Sequence, residues 1–349
     1  MVRDRVGPSA ILENAWYCAA WSHELPRGGA LLGRKLLNRH IALFRDSQGK
    51  PHAFNAVCPH RGADLSRGRV IGDRVECPMH GWVFDLDGQC VAVPSQPDDV
   101  KLPRACTPSY LTAESQGAIW IWVGAKRQGL PEPPCHDVWG EAPDRRRHFS
   151  KPQLWTCSFV NAVENLIDTT HVPFVHKSSL GGTRLYPRQK LVVDDDLRGF
   201  AGQDDPQSPW QRIEAAYAIG GLPGRVVTGL VGIGDIAGEH YRFDLGGSFY
   251  YQVDWRTGAW DVLLAHCTPA DALHTWFFGL SVRTRATHWL GDLLQRWFDR
   301  RLCQEDEAEV TKMLSNDPEL LPAPVSVAGD EPTLAFHRLY AYQLSRQDA

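Results

Sequence analysis

Short apolar runs alternate with turn residues in the first third of the chain. The run Ile41-Ala-Leu-Phe44 is followed by Gln48-Gly49, and a similar run further on is followed by Asp87-Gly88. Such runs, separated by Gly, Pro and Asp, are typical of β-strands in a small sandwich or barrel. The pattern predicts an N-terminal β-domain over residues 1–125.

The next stretch, residues 126–150, is rich in Pro, Gly and charged residues, and the composition predicts a linker. Residues 159–170 lack both Pro and Gly and contain residues that favour helices. They predict a helix that Pro173 ends, because proline has no N–H to continue the hydrogen-bond ladder. This helix would open a second domain over residues 151–349.

The rest of the second domain mixes strands and one long helix. Strand-like runs separated by turn residues between 246 and 285 predict an antiparallel meander. A long helix is predicted over residues 287–314, because apolar residues recur there at every fourth position. These residues are Leu290, Leu294, Phe298 and Leu302. The fold class is therefore predicted to be α+β.

Composition excludes several classes of protein. Hydrophobic residues make up 43% and charged residues 22% of the 349 residues, which excludes intrinsic disorder. The net charge of -4 offers no basic field for nucleic acid or anionic lipid. The longest apolar stretch, residues 117–123, is too short to cross a bilayer, and the first residues lack the apolar core of a signal peptide. We expect a cytoplasmic protein with no nucleic-acid or membrane partner, whose nine cysteines are thiols or metal ligands.

Two short segments each offer one cysteine and one histidine. The spacing is Cys58-x-His60, then sixteen residues, then Cys77-x-x-His80. In a two-iron cluster with two cysteines on one iron and two histidines on the other, each segment must reach both metals, and the interleaved order allows this. The alternative is a structural zinc site with the same ligands, although zinc sites usually place their cysteines close together and their histidines close together.

A second set of possible metal ligands follows in the predicted helix. Asn165, Asp168 and His171 are three residues apart and would share one helix face. A turn after Pro173 can bring His176 back beside His171. Two imidazoles and one carboxylate form the facial triad of non-haem Fe(II) oxygenases, which leaves coordination positions open.

The carboxylate of such a triad must come from a distant part of the chain. Asp306 lies on the apolar side of the last predicted long helix, with Cys303 three residues before it and Val310 four residues after it. An unpaired carboxylate on an apolar face is costly, and a metal would compensate for it. The neighbouring Glu305 is predicted to point away into solvent, and it is the alternative ligand.

These motifs closely resemble those of Rieske non-haem iron oxygenases. Cys58-Pro-His60-Arg-Gly and Cys77-Pro-Met-His80-Gly-Trp-Val-Phe-Asp resemble the Rieske [2Fe–2S] domain. The pattern Asn-x-x-Asp-x-x-His-x-x-x-x-His that ends at His176 resembles the mononuclear iron motif. Chain length and the closing segment resemble the vanillate demethylase and phthalate oxygenase-like branch, although Thr311-Lys-Met departs from the usual continuation there.

The resemblance implies a Rieske β-domain followed by a helix-grip catalytic domain, in which an antiparallel sheet and a long C-terminal helix enclose the iron. It implies that Asp168 connects a cluster histidine of one subunit to an iron histidine of its neighbour in a homotrimer. Asn165, one turn earlier, would lie near enough to affect the iron or the substrate, and hydrogen bonding within the core is the equal alternative for it. The implied ligands of the cluster are Cys58, His60, Cys77 and His80, and those of the mononuclear Fe(II) are His171, His176 and Asp306.

The implied reaction is NAD(P)H-dependent activation of dioxygen. Electrons would come from a separate flavin and iron–sulfur reductase, with or without a ferredoxin, because the chain has no G-x-G-x-x-G nucleotide fingerprint. The branch implies a monooxygenase that hydroxylates an aromatic or heteroaromatic compound or removes its O- or N-methyl group, with demethylation favoured. A dioxygenase that forms cis-dihydrodiols is the alternative within the family.

Two other classes of protein would explain less of the sequence. A Rieske electron carrier without catalysis would explain residues 58–80 but leave His171, His176 and Asp306 without a role. A lipid- or sterol-binding helix-grip protein would leave the whole first half unexplained.

The predicted sheet also carries side chains that could contact a substrate. Its aromatic residues would suit a planar ring, and they are Phe249, Tyr251, Trp276 and Phe278. Its arginines could pair with a substrate carboxylate or lie in solvent, and they are Arg242, Arg256 and Arg283.

Overall fold

The structure is a computed structural model that describes residues 11–97, 99–125, 130, 132–134, 145–181, 190–194, 210–214, 236–244, 246–317, 325–327 and 330–347. The chain divides into two compact units. The N-terminal unit comprises residues 13–133 and 268–271, and the C-terminal unit comprises residues 1–12, 134–267 and 272–349. Within the described residues, no helix has the length and apolar character needed to cross a membrane.

The N-terminal unit consists of two antiparallel sheets. Its strands are β1 (Ala15–Trp21), β2 (Leu32–Leu36), β3 (Arg39–Arg45), β4 (Pro51–Asn55), β5 (Arg69–Val70), β6 (Val75–Glu76), β7 (Val83–Phe84), β8 (Cys90–Ala92), β9 (Ser109–Ser115) and β10 (Ala118–Val123). The larger sheet has the order β1-β10-β9-β4-β3-β2, and the smaller one has the order β5-β6-β7-β8. The predicted turns at Gly49 and Gly88 connect β3 to β4 and β7 to β8.

One apolar core joins the two sheets of this unit. Phe44 and Phe54 of the larger sheet meet edge to face with their ring centroids 4.9 Å apart. Phe84 of the smaller sheet belongs to the same buried cluster, and so do Cys58 and Cys77. Both cysteines are therefore fixed from behind by close-packed side chains.

The C-terminal unit is built on one antiparallel sheet. Its strands are β11 (Arg146–Phe149), β12 (Gln153–Trp155), β13 (Lys190–Asp194), β14 (Trp210–Glu214), β15 (Ile236–Asp244), β16 (Ser248–Trp255), β17 (Trp260–Asp271) and β18 (His274–Arg283). The order is β11-β18-β17-β16-β15-β14-β13, and β12 also pairs with β18. The meander predicted between 246 and 285 is confirmed by the consecutive neighbours β16, β17 and β18.

The linker prediction is wrong for its last residues. Strand β11, Arg146–Phe149, pairs antiparallel with β18. Its polar side chains have internal partners: Arg146 Nε donates to the Thr287 carbonyl at 2.7 Å, and His148 Nδ1 lies 2.7 Å from the Asp299 carboxylate. Polar composition alone cannot distinguish such an edge strand from a linker. Residues 126–129, 131 and 135–144 lie outside the described residues.

The described helices of the C-terminal unit are α1 (Phe159–Ile167), α2 (Val172–Val175), α3 (Trp289–Val310) and α4 (Glu331–Gln347). Helix α1 begins at Ser158, whose Oγ accepts the Asn161 N–H at 3.2 Å. It ends at Asp168 rather than Thr170, because Asp168 adopts an extended backbone and its carboxylate accepts the Thr170 N–H at 2.7 Å. Pro173 does not end this helix but lies in the first turn of α2, where a missing N–H costs nothing.

Helix α3 lies within the predicted range of 287–314 but turns a different face inward. Its buried residues are Gly291, Cys303 and Val310, whereas Leu290 of the predicted stripe is 41% exposed. The inward face is thus displaced by one residue, or about 100° around the helix. Polar Asp299 belongs to this face, because His148 and Ser281 bind its carboxylate.

Two turn glycines of the C-terminal sheet provide a test of this packing. Gly247 and Gly258 both have left-handed backbones, with φ of 89° and 82°. A Cβ at Gly247 would collide with the Cys267 carbonyl, whereas one at Gly258 would meet no atom within 4 Å. We predict that Gly258→Ala lowers the free energy of unfolding by about 1 kcal/mol and Gly247→Ala by about 3 kcal/mol or more. Thermal unfolding would measure both, and equal shifts would contradict the predicted collision.

Candidate metal centres

The two cysteine-containing loops of the N-terminal unit have the same backbone construction. In each, the cysteine N–H donates to the carbonyl five residues later, and the cysteine carbonyl accepts the N–H of the glycine four residues later. The bonds are Cys58 N to Ala63 O, 2.9 Å, Gly62 N to Cys58 O, 2.9 Å, Cys77 N to Trp82 O, 2.8 Å, and Gly81 N to Cys77 O, 3.2 Å. Both glycines are left-handed, with φ of 73° and 70°, which explains why glycine suits these positions. We call these segments, residues 58–63 and 77–82, the cluster loops.

The two cysteines of the cluster loops form a buried pair. Cys58 and Cys77 are each 2% exposed, and their thiols contact each other. Burial, with the neighbouring thiol, raises the pKa of Cys58 to about 11. The Cys58 thiol therefore loses its proton readily only beside a strong positive charge, which a metal would supply.

The two histidines of the cluster loops form a separate pair. The ring centroids of His60 and His80 are 4.6 Å apart, and the His60 ring is stacked on Trp82 at 4.5 Å. His60 Nδ1 is buried and has no hydrogen-bond partner among the described residues. His80 is exposed. An orphaned buried nitrogen in a ring held by stacking suits a metal ligand.

This arrangement favours two irons over one zinc. A zinc ion would draw all four donor atoms to one point. Among the described residues, the only set of three or more His, Cys, Asp or Glu ligand atoms lying within 4.8 Å of one another is a different one, in the C-terminal unit. The cluster loops instead present a cysteine pair and a histidine pair, one pair for each iron of a Rieske cluster.

The set in the C-terminal unit consists of His171, His176 and Asp306, which we call the His-His-Asp face. The Nε2 atoms of the two histidines are 3.3 Å apart. Asp306 Oδ1 lies 3.4 Å from His171 Nε2 and 3.1 Å from His176 Nε2. It is buried and has no hydrogen-bond partner of good geometry among the described residues. Burial alone would raise the pKa of Asp306, but the two imidazoles lower it well below its usual range, so the carboxylate is ionised.

Local structure directs both imidazoles toward this point. His171 ends a 3₁₀ turn, Thr169–His171, and its Nδ1 donates to the main-chain carbonyl of Asp168. His176 follows α2 directly, and its Nδ1 lies 3.1 Å from Glu305 Oε2. Because each Nδ1 is occupied by an acceptor, each Nε2 presents its lone pair to the centre. Two imidazole nitrogens and one carboxylate oxygen fit the facial triad of a non-haem iron.

Comparison with known proteins finds one family for the N-terminal part of the chain and another for the C-terminal part. Residues 15–110 match the family model of the Rieske [2Fe-2S] domain, and residues 155–346 match that of the vanillate O-demethylase oxygenase C-terminal domain. The vanillate O-demethylase oxygenase subunit of Pseudomonas sp. is 33% identical over 277 residues, which cover 76% of this chain and 75% of that protein. The chain belongs to the vanillate O-demethylase family of Rieske oxygenases.

Two further relatives extend the comparison. The iron-sulfur subunit TsaM1 of the toluene-4-sulfonate monooxygenase system of Comamonas testosteroni is 36% identical over 191 residues, 54% of this chain and 53% of that protein. The chain thus spans about half the length of this relative. The crystal structure of dicamba monooxygenase bound to dicamba has a TM-score of 0.78, with 21% identity over 97% of this chain and 99% of that one. It shares the fold, and the predicted α+β class with an N-terminal Rieske domain is confirmed.

In this Rieske oxygenase, Glu305 is not the solvent-facing residue that the sequence analysis predicted. Its side chain is only 10% exposed and lies behind His176, on the Nδ1 side of the ring. Burial would raise the pKa of Glu305, but hydrogen bonds from Ser178, Ser179 and His176 lower it. Glu305 therefore cannot reach the point that Asp306 faces. The two supporting serines, Ser178 and Ser179, were not predicted, although they follow His176 by only two and three residues.

Asp168 and Asn165 occupy different positions from those predicted. They do not share one helix face with His171, because α1 ends at Asp168. Asp168 holds His171 through its main-chain carbonyl, while its Oδ1 accepts the Thr170 N–H at 2.7 Å and the Thr170 hydroxyl at 2.5 Å. Asn165 lies on α1, and its Nδ2 is buried without a hydrogen-bond partner among the described residues.

The His-His-Asp face predicts a specific metal content. The wild-type protein should hold about three irons per chain, two in the cluster and one at this face. Asp306→Ala should reduce this to about two while leaving the visible absorption of the cluster unchanged, because two neutral imidazoles alone bind iron weakly. Iron and sulfide assays would measure the metal content, and visible spectroscopy would measure the cluster absorption. Glu309→Ala is the control, because the Glu309 side chain is 57% exposed on the same helix. Three irons retained in the Asp306 variant would show that the third ligand lies elsewhere.

Proposed function

We propose that the chain is the terminal oxygenase of a multicomponent monooxygenase system. The cluster loops would hold a [2Fe–2S] cluster and the His-His-Asp face a mononuclear Fe(II), which would supply electron transfer and dioxygen activation with electrons from a separate NAD(P)H-dependent reductase. An aromatic or heteroaromatic substrate is hydroxylated or loses an O- or N-methyl group.

The observation that carries this proposal is the His-His-Asp face itself. Three protein donor atoms converge within 3.4 Å of one another, and one of them, Asp306 Oδ1, is a buried charged atom without a hydrogen-bond partner among the described residues. An iron held from one side keeps positions open, and when bound it would supply the activation of dioxygen. An electron carrier needs no such face, so the geometry favours an oxygenase over a carrier.

The chain's own residues contribute position and charge. The Asp168 carbonyl and the Glu305 carboxylate each accept an Nδ1–H, which fixes the orientation of both rings so that their Nε2 atoms face the centre. Asp306 contributes the one negative charge of the face. In this proposal, the unpaired Nδ2 of Asn165 is a hydrogen-bond donor for substrate or for a water beside the iron.

Electron transfer in this proposal crosses between neighbouring chains of a homotrimer. His80 is exposed at the tip of its cluster loop. Oδ2 of Asp168 accepts no hydrogen bond from the described residues, since the bonds of this carboxylate all involve Oδ1. A free carboxylate oxygen beside an iron histidine suits a bridge to a cluster histidine of the next chain. In a closed ring of three, each chain would serve its neighbour in the same way.

The arginines of the sheet favour a substrate that does not rely on them for charge pairing. Arg242 is buried and paired with Asp244, and Arg283 is buried and paired with Asp292. Arg256 is exposed. Each of these three arginines is thus either paired with a carboxylate of the chain or exposed. This supports a substrate whose aromatic ring is recognised by apolar contact.

The aromatic residues of β16 and β18 would provide such contacts. Phe249 and Tyr251 are two residues apart on β16 and therefore share one face of the sheet, and their rings are nearly parallel with centroids 6.3 Å apart. Trp276 and Phe278 are likewise two residues apart on β18, with ring centroids 6.3 Å apart and the rings tilted by 32°. Phe249 and Phe278 are buried, so the half-buried Tyr251 and Trp276 are the members of the two pairs that would contact a ring.

A substrate panel with labelled dioxygen tests the reaction type. With a reductase, NADH and methoxylated or N-methylated aromatic compounds, we expect one labelled oxygen atom per turnover and formaldehyde in proportion to the demethylated product. Mass spectrometry of the products and a formaldehyde assay would measure this. A cis-dihydrodiol with two labelled oxygens would contradict the monooxygenase assignment and leave both metal sites in place.

The proposed bridge predicts a specific defect in Asp168→Asn. The variant should keep the fold and about three irons per chain, because the carbonyl that holds His171 belongs to the main chain. Oxidation of the reduced cluster by dioxygen in the presence of substrate should slow at least about tenfold, since an amide cannot accept in the same way. Stopped-flow absorption would measure the rate. Thr170→Val is the control: it removes the local bond to Asp168 and leaves the carboxylate, and a defect of equal size there would refute the bridge.

A further inference from the structure

The two histidines of the His-His-Asp face are supported by groups of different charge. His171 Nδ1 donates to a neutral main-chain carbonyl, that of Asp168. His176 Nδ1 donates to a carboxylate, Glu305 Oε2, at 3.1 Å. A carboxylate acceptor draws the Nδ1 proton toward itself more strongly than a carbonyl does and raises the basicity of Nε2. His176 is therefore the stronger electron donor of the pair.

Glu305 is held at both carboxylate oxygens, which fixes its position beside His176. Ser179 Oγ donates to Oε2 at 2.6 Å. Ser178 Oγ donates to Oε1, and Arg301 Nε lies 3.0 Å from the same oxygen. Arg301 also donates to Ser178 Oγ at 3.1 Å, which closes a small network. With only 10% of its side chain exposed, Glu305 keeps its negative charge in a place where solvent screens it little.

Adjacent positions on α3 explain how two carboxylates serve one metal without competing. Successive residues of a helix point about 100° apart. Asp306 therefore approaches the Nε2 side of His176, while Glu305 approaches the Nδ1 side of the same ring. Helix α3 thus carries the proposed ligand Asp306 and, directly before it, Glu305, which holds the proposed ligand His176.

We propose that Glu305 is a positioning residue of the mononuclear metal site, which fixes the ring and tautomer of His176 and strengthens its bond to the metal. The inference rests on the proposed function only in taking the metal to be iron. Its consequence is that loss of the Glu305 charge weakens metal retention without unfolding the site.

The test compares Glu305→Gln and Glu305→Ala with Glu309→Gln, a matched change one turn further along α3 at a side chain 57% exposed. The first readout is the rate at which a chelator removes Fe(II) from the mononuclear site of the otherwise intact protein. We expect removal about tenfold faster or more in Glu305→Ala, a smaller increase in Glu305→Gln, and no change in the control. The glutamine keeps an acceptor but has no charge, so it separates charge from hydrogen bonding.

A second readout does not depend on iron or on turnover. Co(II) bound at the emptied mononuclear site should show shifted visible absorption bands in both Glu305 variants, because one ligand becomes a weaker donor. Cluster absorption and the thermal midpoint of the metal-free variants would establish that each is folded. If Glu305→Ala is not folded by these measures, the result for Glu305→Gln alone tests the proposal.

The outcomes separate the inference from the proposed function. If wild-type protein binds neither Fe(II) nor Co(II) at the His-His-Asp face, the proposed function fails and the inference fails with it. If wild type binds both metals and the folded Glu305 variants retain them as firmly with unchanged Co(II) bands, the positioning role is wrong and the oxygenase proposal stands.

Discussion

Two Nε2 lone pairs and one carboxylate oxygen meet within 3.4 Å in the C-terminal unit, and this convergence is the physical constraint on which the site depends. When both Nε2 atoms present lone pairs, the three electron-rich atoms repel one another, and burial removes the water that would otherwise solvate them. A metal cation at their common point compensates for this repulsion. The surrounding fold must therefore hold the three atoms in place by other means until the metal is bound.

The two units hold their proposed metal ligands in place in different ways. In the N-terminal unit, each cluster loop is shaped by main-chain hydrogen bonds and a left-handed glycine, Gly62 or Gly81, over six residues. In the C-terminal unit, the ligands come from a 3₁₀ turn, the residue after α2, and α3 far along the chain. The first site is thus encoded locally, whereas the second depends on tertiary packing.

This difference explains what could be predicted from the sequence. The α+β class and the N-terminal Rieske domain follow from short motifs and local periodicity, and both are confirmed. The proposed ligands of the cluster and of the iron follow from the same motifs. The orientation of α3 could not be predicted from its leucines, because its inward face carries Asp299, whose partners His148 and Ser281 lie on distant strands. The role of Glu305 could not be predicted for the same reason, because the serines that donate hydrogen bonds to it lie far from it in the sequence. Hydrophobic periodicity predicts only buried apolar residues. It cannot predict a polar side chain that is buried because distant residues form hydrogen bonds with it.

The supports of the two iron histidines also differ in how far substitution can alter them. His171 is held by the main-chain carbonyl of Asp168, which every residue type at that position would provide. His176 is held by the side chain of Glu305, which a single substitution removes. One half of the site is therefore constant for any sequence that keeps the turn, and the other half is adjustable. Because the basicity of a ligand follows the charge behind it, the residue preceding the iron carboxylate on α3 is where this fold can tune its metal without changing a ligand.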